Sequence, residues 1–266
     1  MADARRAAVL GSPIGHSLSP ALHRAAYASL GLDWTYDAIE VTVDRLPGFM
    51  RSLDATWAGI SLTMPLKEAV IPLLDEVDDL ALAVTAVNTV LPAASGWRGT
   101  NTDVYGMVQA LRSAGLLDDP HSGTILGAGA TARSAMAALR DLGVAHVTVC
   151  ARRPEAAAEV ADLGHRLGLV CDTSSLAPDP RLLLASVVVS TLPGDAAAPW
   201  APDAGTARGA LLDASYHPWP SVLAGAWAGP VVASGRDMLL WQAVEQVRLM
   251  TGREPSVEVM RSALPA

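Results

Sequence analysis

The sequence predicts two α/β domains, and three observations support this fold class. Between about residues 122 and 235, short aliphatic runs alternate with longer Ala-rich stretches, which is typical of βαβ units built around a parallel sheet. The first hundred residues also mix strand-like with helix-like segments, so they form an α/β unit of their own. The chain of 266 residues is long enough to give each of two modest domains a core.

The N-terminal unit begins with a strand and alternates from there. Its predicted strands are AAVLG, DWTYDAIEV and GISLT, and its predicted helices are SPALHRAAYASLG, VDRLPGFMRSL and KEAVIPLLDEV. Ser19 and Pro20 stand at the start of the first helix. We interpret Ser19 as its N-cap and Pro20 as the first helical residue, which leaves room for a ligand contact by Ser19 as well.

The middle of the chain contains five runs with the pattern of buried strands: TILGAG, HVTVCA, SVVVSTL, GALLDAS and GPVVAS. They are continuously apolar rather than alternating, which favours a parallel sheet covered on both faces, as in a Rossmann-type domain. After Ser234, GRDMLLWQAVEQVRLMTG has apolar residues at helical spacing up to Gly252, and we expect this helix to pack back on the first domain. The predicted domains are residues 1–103, completed by 236–266, and 104–235.

Composition excludes several classes of function. With 19 basic and 27 acidic residues the net charge is −8, and no basic stripe is present, so we expect no nucleic-acid partner. Every apolar run is interrupted before the roughly 18 residues that a membrane span needs. The N-terminus has no secretory pattern, so we expect a cytoplasmic protein. Cys150 and Cys171 lack CxxC spacing and the six histidines lack metal-site spacing, so we expect no metal.

A nucleotide-binding fingerprint follows the strand TILGAG. Gly127 allows a tight turn, Gly129 lets the backbone approach a pyrophosphate, and Ala132 is small enough for close packing of helix on strand. The helix that follows would offer amide donors and the positive end of its dipole. The strand HVTVCA ends in Arg152 and Arg153 where an NAD site usually has an acid, which favours the 2′-phosphate of NADP. Two merely solvated arginines are the alternative.

Lys67 is the only lysine in the chain, whereas the other 18 basic residues are arginines. Arginine stays protonated under practical conditions, but lysine can transfer a proton when its surroundings are tuned, so Lys67 is a candidate acid/base residue. Thr63 lies four residues before it, at the end of a predicted strand, where ligands of open α/β sheets bind. Farther along, AVNTV and TNTDVYG contain Asn88 and Asp103, although such residues also form ordinary turns.

These motifs together resemble the shikimate dehydrogenase family. The pieces that match run nearly from end to end: GSPIGHSLSPALH, GISLTMPLK, AVNT, NTDVYG, GAGATAR, ARR, LLDASYHP and GRDMLLWQA. The resemblance implies an N-terminal substrate domain, completed by C-terminal helices, and a Rossmann-type NADP-binding domain. It also implies reversible hydride transfer between the nicotinamide and the ring ketone of 3-dehydroshikimate, a small-molecule substrate, giving shikimate in aromatic amino acid biosynthesis.

The family's roles carry over residue by residue. Lys67 would be the acid/base residue, paired with Asp103. Substrate would be bound by Ser17, Ser19, Thr63, Asn88, Asp103, Tyr216 and Gln242. Cofactor would be bound by Gly127, Ala128, Gly129, Ala130, Thr131, Ala132, Arg152, Arg153, Gly235 and Met238. The pattern does not distinguish a monomer from a homodimer.

The chain departs from the family's usual sequence pattern in a few places. Arg24 follows His23 where Asn is common, Ser61-Leu62 replaces Asn-Val before Thr63, and STLPGD replaces an Asn/Thr-rich loop. Ala130 stands where a Gly-type residue is usual, and Asp237 where a second Gly is usual. Asp237 is expected to be solvated or paired, because charged side chains nearly always are; repulsion of an anionic substrate is the alternative.

Two other functions stay open at this stage. One is a quinate or shikimate dehydrogenase of the same family with a catabolic role or a preference for NAD. The other is a nucleotide-binding regulatory module without catalysis, against which the full set of polar residues argues.

Overall fold

The structure is a computed structural model that describes residues 4–117 and 120–265. The chain divides into two compact units, one formed by Met1–Thr102 with Leu240–Ala266 and the other by Asp103–Leu239.

The first unit is built on a mixed six-stranded sheet in the order β2-β1-β3-β5-β6-β4. Strands β1, β2 and β3 are parallel, and β5 runs antiparallel to its neighbours β3 and β6. Its elements before the crossing into the second unit are β1 (Arg6–Gly11), α1 (Ser19–Ser29), β2 (Thr35–Glu40), α2 (Leu46–Arg51), β3 (Trp57–Leu62), α3 (Leu66–Ala69), β4 (Glu76–Val77), α4 (Asp79–Ala83), β5 (Thr89–Ala93) and β6 (Gly96–Thr100).

One predicted helix of this unit is wrong. KEAVIPLLDEV does not form one helix, because α3 ends at Ala69 and is followed by a 3₁₀ turn, Ile71–Leu73, and by the short strand β4. Pro72 has no backbone N–H to donate and its ring crowds the preceding turn, so an α-helix cannot continue through it.

The second unit is a six-stranded sheet, parallel throughout, in the order β12-β11-β10-β7-β8-β9. This is the doubly wound order in which ligands bind outside the carboxyl ends of the two central strands, here β7 and β10. Its elements are α5 (Asp103–Ser113), β7 (Ser122–Leu126), α6 (Ala130–Asp141), β8 (His146–Ala151), α7 (Pro154–Arg166), β9 (Val170–Ser175), β10 (Val187–Ser190), β11 (Ala210–Asp213), α8 (Val222–Ala226) and β12 (Val231–Ser234), with 3₁₀ segments at Pro180–Leu184 and Gly194–Thr206.

The last two helices complete the first unit, as predicted. Helix α9 (Gly235–Thr251) starts in the second unit and continues from Leu240 in the first, and α10 (Val257–Ser262) follows. The Tyr27 hydroxyl of α1 donates to Sδ of Met250 at 3.6 Å. A Cβ on Gly59 of β3 would lie 2.8 Å from Met250 Cε, so a larger residue there would force the Met250 side chain to move.

Within the described residues, no helix is long and apolar enough to cross a membrane. The same residues contain no group of three or more His, Cys, Asp or Glu side chains that could hold a metal ion.

Candidate active site

Thr63 and Lys67 lie where β3 ends and α3 begins. The Thr63 N–H donates to Leu10 O at 2.9 Å, which extends the pairing with β1, and Thr63 O accepts from the Leu66 N–H at 2.8 Å, which starts the helical turn. Lys67 is therefore the second residue of α3, partly buried, and its backbone oxygen accepts from the Val87 N–H at 2.8 Å. The backbone at Lys67 is thus tied to the segment before β5, and the side chain belongs to a helix of a single turn.

Gly11 makes room for Thr63. A Cβ at Gly11 would lie 2.4 Å from Thr63 Cγ2 and 3.1 Å from the Met64 backbone oxygen. The ends of β1 and β3 can approach this closely only because position 11 has no side chain. Any larger residue at position 11 would force the Thr63 side chain to shift.

The start of α1 differs from the prediction. The N-cap is Leu18, and Ser19 is the first helical residue, so the interpretation of Ser19 as N-cap is wrong. Ser17 Oγ accepts from the Ser19 N–H at 3.3 Å and takes part of the capping role instead. The Ser19 side chain lies close to Tyr36 on β2, where it opposes slightly the rise in the Tyr36 pKa that burial causes.

His23 lies one turn further along α1 and is fully buried. Its Nδ1 is 3.0 Å from Ser19 O, and its ring stacks on that of Tyr36 with centroids 3.9 Å apart. Burial lowers the pKa of His23 to about 4, an effect that the hydrogen bond to Ser19 opposes. The histidine is therefore neutral at physiological pH and serves as a packing residue.

Arg24, the residue that departs from the family's usual Asn, connects α1 to β2. Its Nε donates to Tyr36 O at 2.8 Å, and its guanidinium pairs with the Asp37 carboxylate at 2.7 Å. Both side chains of the ion pair are more than half exposed, so the pair itself adds little stability.

Asn88 and Gln242 meet in the interior of the first unit. Asn88 precedes β5 and is 1% exposed, and Gln242 of α9 is 7% exposed. Asn88 Nδ2 lies 3.5 Å from Gln242 Oε1, and Asn88 Oδ1 accepts from the Thr102 N–H at 2.8 Å. Because a backbone N–H can only donate, this last contact fixes which end of the Asn88 amide is oxygen.

Asp103 is the residue after Thr102 and the first of α5. Its side chain is 4% exposed, and a carboxylate at a helix start is favoured by the helix dipole. Asp103 opens the second unit, whereas Lys67 belongs to the first.

The second unit contains a pocket of ≈ 580 Å³ at the carboxyl ends of its central strands, a size typical of cofactor sites. Of the predicted cofactor residues, Gly127, Ala128, Gly129, Arg152 and Arg153 line it. Ala130 and Thr131 instead form the first turn of α6, and Ala132 is fully buried behind them. Sequence reasoning did not assign the remaining lining residues, which are Ala151, Ala156, Leu176, Thr191, Leu192 and Pro193.

The two positions of the fingerprint, 127 and 129, are glycine for different structural reasons. Gly127 has φ +114°, in the region that disfavours side chains, and a Cβ there would lie 2.3 Å from Thr191 Oγ1. Gly129 is the N-cap of α6, and a Cβ on it would meet nothing within 4 Å. Gly127 is thus required by the fold, whereas the space in front of Gly129 is open for a ligand.

Arg152 and Arg153 are exposed and lie between the end of β8 and α7, of which Arg153 is the N-cap. A pocket that joins the start of α6 to two guanidinium groups suits a ligand with a pyrophosphate and a further phosphate. Among the residues that the structure describes, those lining the pocket include no acid of the kind with which NAD sites hold the ribose.

Gly235, Met238 and Tyr216 lie in the second unit around the ends of β11 and β12. A Cβ on Gly235 would lie 2.1 Å from Ala214 O, so the start of α9 requires glycine. Met238 and Tyr216 are both partly exposed. The segment that carries Tyr216 is held by buried Asp213, whose Oδ1 accepts from the Ser215 N–H at 3.0 Å and whose pKa is raised by burial.

Comparisons with known proteins identify similar chains over the full length. Residues 9–90 match the family model of the shikimate dehydrogenase substrate binding domain, and residues 235–264 match that of the shikimate 5'-dehydrogenase C-terminal domain. A protein named shikimate dehydrogenase (NADP(+)) from Thermus thermophilus is 38% identical over 261 residues, covering 97% of each chain.

Solved structures agree with the sequence matches. A shikimate 5-dehydrogenase from Mycobacterium fortuitum has a TM-score of 0.90 at 41% identity, covering 100% of this chain and 99% of that one. The shikimate 5-dehydrogenase of Thermus thermophilus, solved in complex with NADP(H) and shikimate, has a TM-score of 0.84 at 34% identity in the structural alignment, covering 97% and 98%.

Proposed function

The chain belongs to the shikimate dehydrogenase family, and on that premise we propose that it catalyses the reversible NADP-dependent reduction of 3-dehydroshikimate to shikimate. The observation that carries this function is the presence in one chain of a pocket lined by the glycine turn before α6 and by two arginines and, in the other unit, the polar residues Thr63, Lys67, Asn88 and Gln242. The first arrangement suits a dinucleotide, and the second suits a small polyhydroxylated ring.

The second unit binds the cofactor in this proposal. The amides at the start of α6 face the pyrophosphate, Gly129 allows its close approach, and Arg152 with Arg153 holds the 2′-phosphate. Gly235 and Met238 lie near the nicotinamide. When bound, NADPH supplies the hydride that reduces the ring ketone.

The first unit binds the substrate. Ser17 and Ser19 hold its carboxylate through hydroxyl groups, and Thr63, Asn88 and Gln242 bind its ring hydroxyls. Asp103 and Tyr216, at the start of the second unit and after β11, add further contacts. Neutral donors suit this acidic chain, because each hydroxyl or amide can satisfy an oxygen of the ligand without a buried unpaired charge.

Lys67 supplies the proton. During reduction, negative charge develops on the carbonyl oxygen, and the Lys67 ammonium stabilises that charge and then protonates the oxygen. In the reverse direction the amine takes the proton from the shikimate hydroxyl. Asp103 orients the ammonium and keeps it available for the transfer.

Initial rates of the purified protein test this function. Shikimate and quinate are each paired with NADP⁺ and with NAD⁺, and formation of reduced cofactor is followed by absorbance. We expect shikimate with NADP⁺ to dominate. Dominance of quinate or of NAD⁺ would support the catabolic alternative within the same family, and absence of turnover in all four combinations would support a regulatory module.

A cytoplasmic location and a monomeric or homodimeric state stay predictions. Gel filtration with light scattering at several protein concentrations would measure the second of these.

A further inference from the structure

Three polar side chains lie behind Asn88 and belong to no role assigned so far. Ser61 of β3, Thr89 of β5 and Gln246 of α9 are each no more than 3% exposed. Burying polar groups costs free energy unless they are hydrogen-bonded, and apolar residues of similar size would pack at such positions without that cost. Their presence therefore indicates a use for their hydrogen bonds.

The hydrogen bonds form one directed chain. The Tyr36 hydroxyl donates to Ser61 Oγ at 2.7 Å, and Ser61 Oγ donates to Gln246 Oε1 at 2.9 Å. Gln246 Nε2 donates to Thr89 Oγ1 at 2.9 Å, and Thr89 Oγ1 donates to Asn88 Oδ1 at 2.8 Å. A glutamine amide suits the middle of this chain because it accepts at one end and donates at the other.

This row of hydrogen bonds determines which atom of the Asn88 amide remains to bind a ligand. Asn88 Oδ1 accepts from Thr89 Oγ1 and from the Thr102 N–H, each at 2.8 Å, so its acceptor capacity is used on the protein side. Asn88 Nδ2 is left as the donating end, 3.0 Å from Thr102 Oγ1 and 3.5 Å from Gln242 Oε1. Gln246 also donates to Asn88 O at 3.3 Å, which holds the backbone of the same residue.

The row of hydrogen bonds that starts at Asn88 ends at Tyr36, near Ser19. Tyr36 donates to Ser61, and the Ser19 side chain lies close enough to Tyr36 to influence its pKa. Gln242 and Gln246 are one turn apart on α9. The same helix therefore carries a predicted substrate residue and the central residue of this row of hydrogen bonds. The hydrogen bonds thus connect Tyr36, a neighbour of Ser19, with Asn88, proposed to bind a ring hydroxyl.

We propose that Gln246, with Ser61, is a positioning residue that acts together with the Thr102 N–H to hold the Asn88 amide with Nδ2 as the donating end available to the substrate. Gln246 itself touches no substrate in this account; it acts through Thr89 and Asn88. The proposal rests on the proposed function, because the role of Asn88 in substrate binding is part of it.

Kinetics give the first test. Gln246→Leu removes the hydrogen bonds of Gln246 to Ser61 and to Thr89. Ser61→Ala removes the bonds that join Gln246 to Tyr36. We expect Gln246→Leu to raise the KM for shikimate about 10-fold or more, since an unsatisfied buried partner is left behind, and to leave the KM for NADP⁺ within about 2-fold. Val247→Ala is the matched control, because Val247 is equally buried on the same helix and makes no polar side-chain contact.

The double variant distinguishes positioning from packing. Once Gln246 is replaced, Ser61 has lost its acceptor, so Ser61→Ala with Gln246→Leu should raise the KM hardly more than Gln246→Leu alone. Fully multiplicative effects, or a lower melting temperature with an unchanged KM for shikimate in both single variants, would overturn the proposal.

A measurement without substrate separates this inference from the proposed function. In ¹⁵N-labelled protein, the Asn88 side-chain amide signal is assigned by its loss in Asn88→Asp. We expect its hydrogens to exchange with solvent about 10-fold faster in Gln246→Leu than in wild type, with no change in Val247→Ala. An unchanged Asn88 signal in Gln246→Leu would refute the positioning role even if the wild type turns over shikimate, and a changed signal would support it even if another substrate is found.

Discussion

The Asp237 carboxylate accepts from both the backbone N–H and the hydroxyl of Ser234, at 3.1 and 2.7 Å. In return, the Asp237 N–H donates to Ser234 Oγ at 3.2 Å. This reciprocal pair is a capping box at the start of α9, and the negative charge lies at the positive end of the helix dipole. The structure therefore supports the expectation that Asp237 is paired.

Asp237→Gly is expected to affect stability rather than substrate choice. Loss of the capping box should lower the free energy of unfolding by about 1 kcal/mol, as removal of an N-cap contact usually does. Ser234→Ala, which removes the other half of the box, should have a similar effect. Denaturant titrations and the ratio of kcat/KM for shikimate and quinate measure both points; a large change in that ratio in Asp237→Gly would show that the carboxylate reaches the substrate.

Arg152→Ala with Arg153→Ala is expected to reduce affinity for NADP⁺ selectively. Charge-assisted hydrogen bonds to phosphate contribute about 1.5–3 kcal/mol, so the KM for NADP⁺ should rise by roughly 10- to 100-fold, while the KM for NAD⁺ stays within about 2-fold. Arg166→Ala is a matched control, since Arg166 is exposed at the opposite end of α7. An unchanged KM for NADP⁺ in the double variant would contradict the assignment of the 2′-phosphate site.

Alanine at the two fingerprint glycines should separate folding from binding. Gly127→Ala forces a side chain into φ +114° and against Thr191, so we expect a loss of about 1–3 kcal/mol of stability as well as weaker NADP⁺ binding. Gly129→Ala meets no protein atom within 4 Å and should leave the melting temperature unchanged. It should still weaken NADP⁺ binding, because its methyl group faces the proposed pyrophosphate position. Normal NADP⁺ affinity in Gly129→Ala would place the phosphates elsewhere.

His23 should make stability depend on pH. Its pKa is lowered from 6.5 to about 4 by burial, so between these values the unfolded chain binds a proton that the folded protein does not. Stability from this residue is complete above pH 6.5 and is lost as the pH falls toward 4, by about 3 kcal/mol in total.

His23→Phe keeps an aromatic ring against Tyr36 and removes the titration. Other ionisable groups contribute equally to both proteins. The free energy of unfolding of the wild type should therefore fall relative to that of His23→Phe as the pH falls from 6.5 to 4. Denaturant unfolding at pH values across this window measures the difference. Parallel curves would show that His23 is not held neutral by the fold.

The sequence predicts the second sheet better than the first. Its central strands are continuous apolar runs, and HVTVCA matches β8 residue for residue, because burial on both faces leaves an unambiguous pattern. The edge strand β9 was not predicted. It pairs only with β8, and most of its residues are exposed and polar, so it lacks that pattern. In the first unit, Pro72 was visible in the sequence and should have ended the predicted helix.

The candidate site also contains residues that the local sequence indicates and residues that only the folded structure brings together. Lys67, Thr63 and the glycine fingerprint are marked by local sequence, since each follows directly on a strand. Gln246, Thr89 and Ser61 are distant in the chain, and their contacts arise only when α9 packs on the first unit's sheet. The one local signal was the position of Gln246 one turn after Gln242 on an otherwise apolar helix face.

The most direct test of proton transfer by Lys67 is the turnover number of Lys67→Ala for shikimate oxidation, measured with both shikimate and NADP⁺ at saturation. We expect a loss of about 10²-fold or more, the scale expected when an acid/base group is removed, and no recovery in Lys67→Arg, since a guanidinium stays protonated. Turnover close to that of the wild type in Lys67→Ala would contradict this role and remove Lys67 from the proton transfer.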